Sequence, residues 1–186
     1  MKIIDLIQGS DQWHLFRKGH IGASDASSVM GLNPFKSSLQ LWEEKVFGWE
    51  NEMTDKMRLG QEMEQEAREA YETMTGLKVF PIVLEHDFHD FISASMDGMN
   101  EDRSFAVEIK CGKGSHALAS MNRIPPYYMC QLQHQMFVSE LNEIDYFSYS
   151  KKDTFLINVK RDNEFIEKLI AKELSFWNNI LQFIPP

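Results

Sequence analysis

The sequence predicts an α/β protein of the α+β kind, in which β-hairpins are interspersed with amphipathic helices. Two observations predict the strands: residues 91–98 and 105–111 form one hairpin pattern, and residues 144–150 and 154–159 a second. A third predicts the helices: residues 55–75, 127–139 and 164–183 carry apolar side chains at helical spacing. A chain of 186 residues suits one domain, 1–186, long enough to bury a sizeable core. It shows no internal repeat and no low-complexity linker.

Taken in order, Gly9-Ser10-Asp11-Gln12 is a helix start, with Trp13, Phe16 and Arg17 on the next turn. Gly19 to Ala26 is a glycine-rich bend, and Ser24 suits the N-cap of a helix running to about Met30. Backbone N–H groups and a hydroxyl at such a start can hold an anion, with Arg17 adding a charge-assisted contact. A plain cap and a surface arginine account for the same residues. Asn33-Pro34-Phe35 is a turn, and Ser37 or Ser38 caps a helix through Leu39, Leu41, Trp42 and Val46 that breaks at Phe47-Gly48-Trp49. Asn51 to Asp55 is polar and expected at the surface.

The long helix over 55–75 stops at Gly76, and its apolar stripe is Leu59, Met63, Ala67, Ala70, Tyr71 and Met74. Glu64 and Glu66 flank that stripe on opposite edges, and periodicity does not choose between them. Pro81 interrupts a strand over 79–85, which implies an edge or a bulge. Residues 112–124 are small and polar, a loop with a short helix. Pro125-Pro126 opens the helix over 127–139, where Leu132, Met136 and Met129 turn inward and Tyr128, Gln131 and Gln135 share another face. If its three glutamines and His134 are buried they need partners, such as water or phosphate. Asp162 or Asn163 starts the last helix, whose stripe is Phe165/Ile166, Leu169/Ile170, Leu174, Trp177 and Ile180/Leu181.

The chemistry concentrates in the first hairpin. The strand over 91–98 ends at Asp97-Gly98, and the next carries Glu108 and Lys110 between Val107, Ile109 and Cys111. Side chains two apart in a strand share a face, so Glu108 and Lys110 point one way and their apolar neighbours the other. Asp97, Glu108 and Lys110 can then converge, the layout of a carboxylate site for Mg²⁺ with a lysine beside the attacking water. Alternating charges on a strand also suit a plain solvated face.

The net charge of −9 argues against a general nucleic-acid binder, but the acids crowd between Glu43 and Arg103 while residues 109–139 contain none. Cys111 and Cys130 sit in apolar segments, as buried thiols of a cytosolic chain do. No run of residues is apolar enough for a membrane span, and the N-terminus lacks a signal-peptide pattern, so a cytoplasmic protein with no membrane partner is expected.

Six segments in one order resemble the lambda exonuclease family, also called the YqaJ-like viral recombinase domain, a branch of the PD-(D/E)XK nucleases. They are Arg17 with Ile21-Gly22-Ala23-Ser24-Asp25; Leu32-Asn33-Pro34-Phe35-Lys36 with Leu41-Trp42-Glu43-Glu44-Lys45; Gly60-Gln61-Glu62-Met63-Glu64; Ser95-Met96-Asp97-Gly98; Val107-Glu108-Ile109-Lys110-Cys111; and Tyr128-Met129-Cys130-Gln131-Leu132-Gln133. Met96 stands where the family often has proline, and the C-terminal third matches only in pattern.

The resemblance implies a restriction-endonuclease-like core, a mixed central β-sheet flanked by helices. It implies that Asp97, Glu108, Glu64 and the Ile109 carbonyl hold two Mg²⁺ ions, with Mn²⁺ as a substitute. Glu64, not Glu66, falls on the family's helix carboxylate. Lys110 would orient and help deprotonate the water, Gln131 would lie near that water, and Arg17 with Ser24 would bind a 5′-phosphate. The implied activity is 5′-to-3′ exonuclease action on linear double-stranded DNA with 5′-phosphate ends, releasing mononucleotides and leaving a 3′ single strand. A homotrimeric ring, a single-strand annealing partner and a phage or prophage origin in a bacterial host are implied too, with Lys36, Lys45, Lys113 and Arg123 as candidates for a basic channel. The alternatives are another nuclease of the superfamily (an endonuclease or a Cas4-like enzyme), a non-catalytic DNA-end-binding protein, and an acidic interaction domain.

Overall fold

Both expected hairpins form and join one sheet. The structure is a computed structural model that describes residues 1–49 and 55–186. The expected polar surface segment over 51–54 lies outside the described residues. In chain order the elements are β1 (Lys2–Ile4), α1 (Asp11–Lys18), β2 (Ile21–Gly22), α2 (Ala26–Val29), α3 (Ser38–Phe47), α4 (Asp55–Thr75), β3 (Phe80–Glu85), β4 (Ile92–Met99), β5 (Ala106–Lys110), α5 (Lys113–Ala119), α6 (Pro126–Ser139), β6 (Glu143–Tyr149), β7 (Thr154–Lys160) and α7 (Asn163–Leu181).

The sheet runs β1-β3-β4-β5-β6-β7, with β2 beside β4 off that path. Its pairs are antiparallel except β5·β6 and β2·β4, so the sheet is mixed. A parallel β5·β6 pair needs a crossover, which α5 and α6 supply. Its strands are covered on both faces. Val107, Ile109, Phe147 and Tyr149 pack with Ala67 and Tyr71 of α4 on one face. Ala106 and Tyr146 pack with Leu132 and Met136 of α6 on the other. α7 closes the second layer through Ile166 and Ile170.

The local signals behind these elements are ordinary chemistry. Ser10 caps α1 and Asp162 caps α7, each accepting an N–H three residues on. Ser37 caps α3 in a capping box with Gln40, and Gly48 ends it with φ +70°. Pro81 coincides with a register shift between Phe80 and Ile82, so the bulge forms and β1 covers the strand's other edge.

Several expectations are corrected. Ser24 is not the cap of α2: Asp25 holds that position and α2 spans four residues. Leu59, Met74 and Leu181, near the ends of their helices, are exposed. Cys111 is half-buried, whereas Cys130 is fully buried. The buried polar side chains of α6 have protein partners: Gln133 donates to the Lys160 carbonyl, and His134 bonds Glu173 and the Ser93 carbonyl. Among the described residues no helix is long and apolar enough to cross a membrane.

Candidate active site

The site is made by the way β4 shares one of its edges. Ser93 pairs with Glu85 of β3 on one side and with Gly22 of β2 on the other. Farther along the β2 side, Gly98 and Met99 pair with Val107 and Ala106 of β5. Between these two short ladders the edge of β4 over 94–97 has no strand partner among the described residues. A cleft of about 460 Å³ opens there. β2 feeds Gly22, Ala23 and Ser24 into one end, β5 brings Glu108 and Lys110 to the other, and β4 lines it with Ser93, Ser95 and Asp97. α4 contributes Glu64 and Arg68, α1 Trp13 and Arg17, and α6 Gln131.

At the β5 end, β4 and β5 splay beyond Gly98, and the Asp97 Oδ2 accepts the Ile109 N–H at 2.7 Å in place of a backbone partner. The N–H and C=O of one strand residue point to the same edge, so the Ile109 carbonyl faces the same gap. Glu108 is 1% exposed. Its Oε1 accepts Lys110 Nζ and, at 2.5 Å, Gln131 Nε2; its Oε2 accepts Gln135 Nε2 at 2.5 Å. The buried Gln135 Oε1 has no hydrogen-bond partner among the described residues. Lys110 Nζ also lies 4.6 Å from the Tyr128 ring centroid. Arg68 reaches back one helical turn to Glu64 Oε1 at 2.7 Å and donates its Nε to the Asp97 carbonyl at 2.8 Å, joining helix to strand.

The charges are not in balance. Burial pushes the Asp97 carboxyl well above the usual carboxylate range, and the Glu108 and Glu64 charges push it further against the pull of Lys110. Burial also raises Glu64, with Arg68 opposing and Glu108 adding to the rise. Burial alone would lower Lys110, but the Glu108 and Asp97 carboxylates outweigh it and hold the ammonium charged. Crowded acids that resist ionisation are what a hard, oxygen-binding cation relieves, and the three carboxylates and the Ile109 carbonyl offer it oxygen. As the side chains stand, no three acidic, histidine or cysteine groups among the described residues are gathered into a cage. Glu108, Asp97 and Glu64 spend oxygens on Lys110, Gln131, Gln135, Ile109 and Arg68 instead.

At the β2 end, Arg17 donates from Nη2 to the Ser24 hydroxyl at 2.7 Å, and its guanidinium carbon lies 4.7 Å from the Trp13 ring centroid. Trp13 is fixed by its Nε1–H, given to Ser95 Oγ at 2.9 Å. Beneath them Asp25 accepts the Gly22 N–H at 3.1 Å and pairs with Lys45 at 3.0 Å and Arg17 at 3.8 Å. Burial opposes ionisation of Asp25, but Lys45 and Arg17 hold its carboxyl below the usual range. Lys45 is thus no channel residue: its side chain is 8% exposed and donates to the carbonyls of Arg17 and His20 at 2.8 and 2.6 Å. Lys36 is tied to Glu44, while Lys113 and Arg123 are exposed.

Thus the structure brings Arg17, Ser24, Glu64, Asp97, Glu108, Lys110 and Gln131 to one cleft, with the backbone of Ile109 at its floor. Glu66 lies elsewhere, accepting the Tyr149 hydroxyl. Sequence reasoning missed Arg68 and the Asp25–Lys45 pair, and it placed Gln135 on the face of Gln131 without giving it a role. Arg68 stands four residues after Glu64, and that helical spacing could have found it. Nothing local joins Asp25 to Lys45.

Two acids and a lysine on adjacent strands of a mixed sheet, faced by a helix carboxylate, define the restriction-endonuclease-like class of α/β proteins. The chain belongs to the YqaJ-like viral recombinase domain family, a branch of that class, whose sequence profile matches residues 12–142. It is similar to the protein YqaJ of Bacillus subtilis (strain 168), 27% identical over 177 residues, covering 91% of this chain and 56% of that protein. The chain therefore spans about half the length of that relative. Among solved structures, the fold matches an alkaline exonuclease, LHK-Exo, from Laribacter hongkongensis at TM-score 0.82 and 24% identity over 93% of each chain. LHK-Exo has also been solved in complex with dAMP, and that structure matches at TM-score 0.83. A phage-related exonuclease from Haemophilus somnus 129PT matches at TM-score 0.66 and 17% identity, over 88% of this chain and 94% of that one.

Proposed function

We propose that residues 1–186 act as one catalytic domain that degrades linear double-stranded DNA from 5′-phosphorylated ends, 5′ to 3′, releasing mononucleotides and leaving a 3′ single strand. The observation that carries this reading is the single cleft, with Arg17 and Ser24 at one end and Asp97, Glu108 and Lys110 at the other. Two independent anion-handling clusters in one cleft suit one DNA strand held by its terminal phosphate and by the next phosphodiester. Membership of a viral recombinase family supports a DNA substrate. That LHK-Exo was solved with dAMP, a mononucleotide, supports mononucleotide release.

Asp97, Glu108, Glu64 and the Ile109 carbonyl would hold Mg²⁺ as two ions, with Mn²⁺ as a substitute. The metal supplies a water of lowered pKa and stabilises charge on the phosphate oxygens. Lys110, held cationic by Glu108 and Asp97, donates hydrogen bonds that orient the attacking water and neutralise charge developing on the phosphate. Gln131 fixes the Glu108 carboxylate and so the lysine that shares its Oε1. Arg17 releases its bond to Ser24, and guanidinium and hydroxyl together bind the 5′-phosphate. By family membership the chain is further proposed to work in the cytoplasm of a bacterial host, for a phage or prophage, as a homotrimeric ring beside a single-strand annealing protein.

The test is digestion of linear duplexes carrying 5′-phosphate or 5′-hydroxyl ends, with and without Mg²⁺, by the unaltered protein and by Lys110→Ala. Mononucleotides are expected only with Mg²⁺, with Lys110 and from phosphorylated ends. Cleavage of circular DNA would replace the exonuclease with an endonuclease, and metal-independent binding with no product would leave only a DNA-end binder.

A further inference from the structure

A line of aromatic rings leads from the lysine of the cleft to the surface. The Tyr128 ring underlies Lys110, the Tyr127 and Tyr128 ring centroids lie 4.5 Å apart, and Tyr127 meets Phe35 edge to face at 5.7 Å. Phe35 is 79% exposed. A single exposed phenylalanine is ordinary, but this one ends a continuous ring series that begins at the proposed chemistry. Its turn is held in place: Asn33 Oδ1 accepts the N–H of Phe35 at 2.8 Å and of Lys36 at 3.2 Å, and Asn33 Nδ2 donates to Ser28 Oγ at 3.1 Å. Lys36 is paired with Glu44, so the turn presents an uncharged ring rather than a cation.

We propose that Phe35 and Tyr127 form a stacking site for an unpaired nucleobase at the DNA end. The site rests on the reading of the cleft as a DNA-end site and adds base contact to its phosphate contacts. Three ring steps place Phe35 at most about 15 Å from Lys110, some four stacked nucleotides at about 3.4 Å each. A strand whose phosphate lies at Lys110 therefore carries neighbouring bases within reach of Phe35. Stacking on exposed aromatic faces accepts any base, as a sequence-independent site requires. A T-shaped contact with one ring occupies at most one face of Phe35, and the side chain is otherwise largely exposed.

The experiment is made without Mg²⁺, so that binding is read apart from cleavage. Duplexes with a short single-stranded end carry 2-aminopurine at each terminal position in turn. They are bound to the unaltered protein, to Phe35→Ala and to Phe35→Trp. Fluorescence is expected to be quenched at one position by the unaltered protein and by Phe35→Trp, with the quench lost in Phe35→Ala together with about tenfold in affinity. An abasic residue at that position is expected to erase the difference between Phe35→Ala and the unaltered protein. Equal quenching by Phe35→Ala, or an affinity loss that persists on abasic DNA, would overturn the stacking site. Quenching as expected by a protein that never cleaves DNA would keep the stacking site and discard the nuclease. Failure of the unaltered protein to bind DNA ends would discard both.

Discussion

At the scale of single residues, the site holds its acids at a cost to stability. Asp97 is ionised less readily in the folded chain than in the unfolded one. An acid with a raised folded pKa binds more protons folded than unfolded between the two values, so its contribution to stability falls as pH rises through that interval and stays lower above it. Asp97→Asn is therefore expected to abolish cleavage and yet raise the metal-free unfolding midpoint at pH 8 by about 2–4 °C, on the order of 1 kcal/mol. The gain is expected to vanish at a pH below the unfolded carboxylate range, and a midpoint unchanged at pH 8 would sink the idea of an unrelieved charge. Glu108 and Lys110 were legible in the sequence because strand alternation turns them to one side. Arg68 was missed: its bond to Glu64 follows helical spacing, but its bond to the Asp97 carbonyl crosses 29 positions and comes only with the fold.

At the scale of elements, β4 tolerates little change where it carries the site. A Cβ at Gly98 would lie 2.7 Å from Val79 Cγ2 and 2.9 Å from Val107 Cγ1, inside van der Waals contact with two packed side chains. Gly98→Ala is expected to destabilise by about 1–3 kcal/mol, read from urea midpoints, and to lower turnover by shifting Asp97 against β5. An unchanged midpoint would mean that the strands part freely there. The Asp25–Lys45 pair ties α3 to the β2 bend in the same way. Lys45→Met leaves Asp25 buried with only the more distant Arg17, and a loss of about 3–5 kcal/mol is expected in the same denaturation assay. Normal stability in that variant would show that Arg17 alone compensates the carboxylate. The hairpins, an edge or bulge at Pro81 and the helix starts at Ser10, at Ser37 or Ser38 and at Asp162 or Asn163 were readable from neighbours in sequence, and the fold settles on the bulge, Ser37 and Asp162. The four-residue length of α2 was not, since the Ser24 hydroxyl is taken by Arg17.

For the whole molecule, the cleft unites two ends built by different parts of the chain, and each end can be removed separately. Arg17→Ala is expected to keep Mg²⁺-dependent cleavage while losing the preference for 5′-phosphate over 5′-hydroxyl ends. The loss is about tenfold to a hundredfold in relative kcat/KM, the worth of hydrogen bonds to a charged group. If Arg17→Ala lost both substrates equally, the arginine would belong to the chemistry or to folding rather than to end recognition. Lys110→Ala is expected to do the reverse, keeping the preference in binding while removing turnover.

The sequence by itself determined the strands that carry Asp97, Glu108 and Lys110, the helix edge that carries Glu64, and the family to which the chain belongs. These are local patterns, set by side-chain alternation, helical spacing and short motifs. Only the tertiary structure decided that β2 and β5 share one edge of β4 and leave 94–97 open as a cleft. It also decided that Lys45 is a counter-charge to Asp25 rather than a DNA contact, and that Gln131 and Gln135 of α6 grip Glu108. Those outcomes depend on which distant groups are desolvated together, and a buried charge takes whatever partner the fold brings within reach.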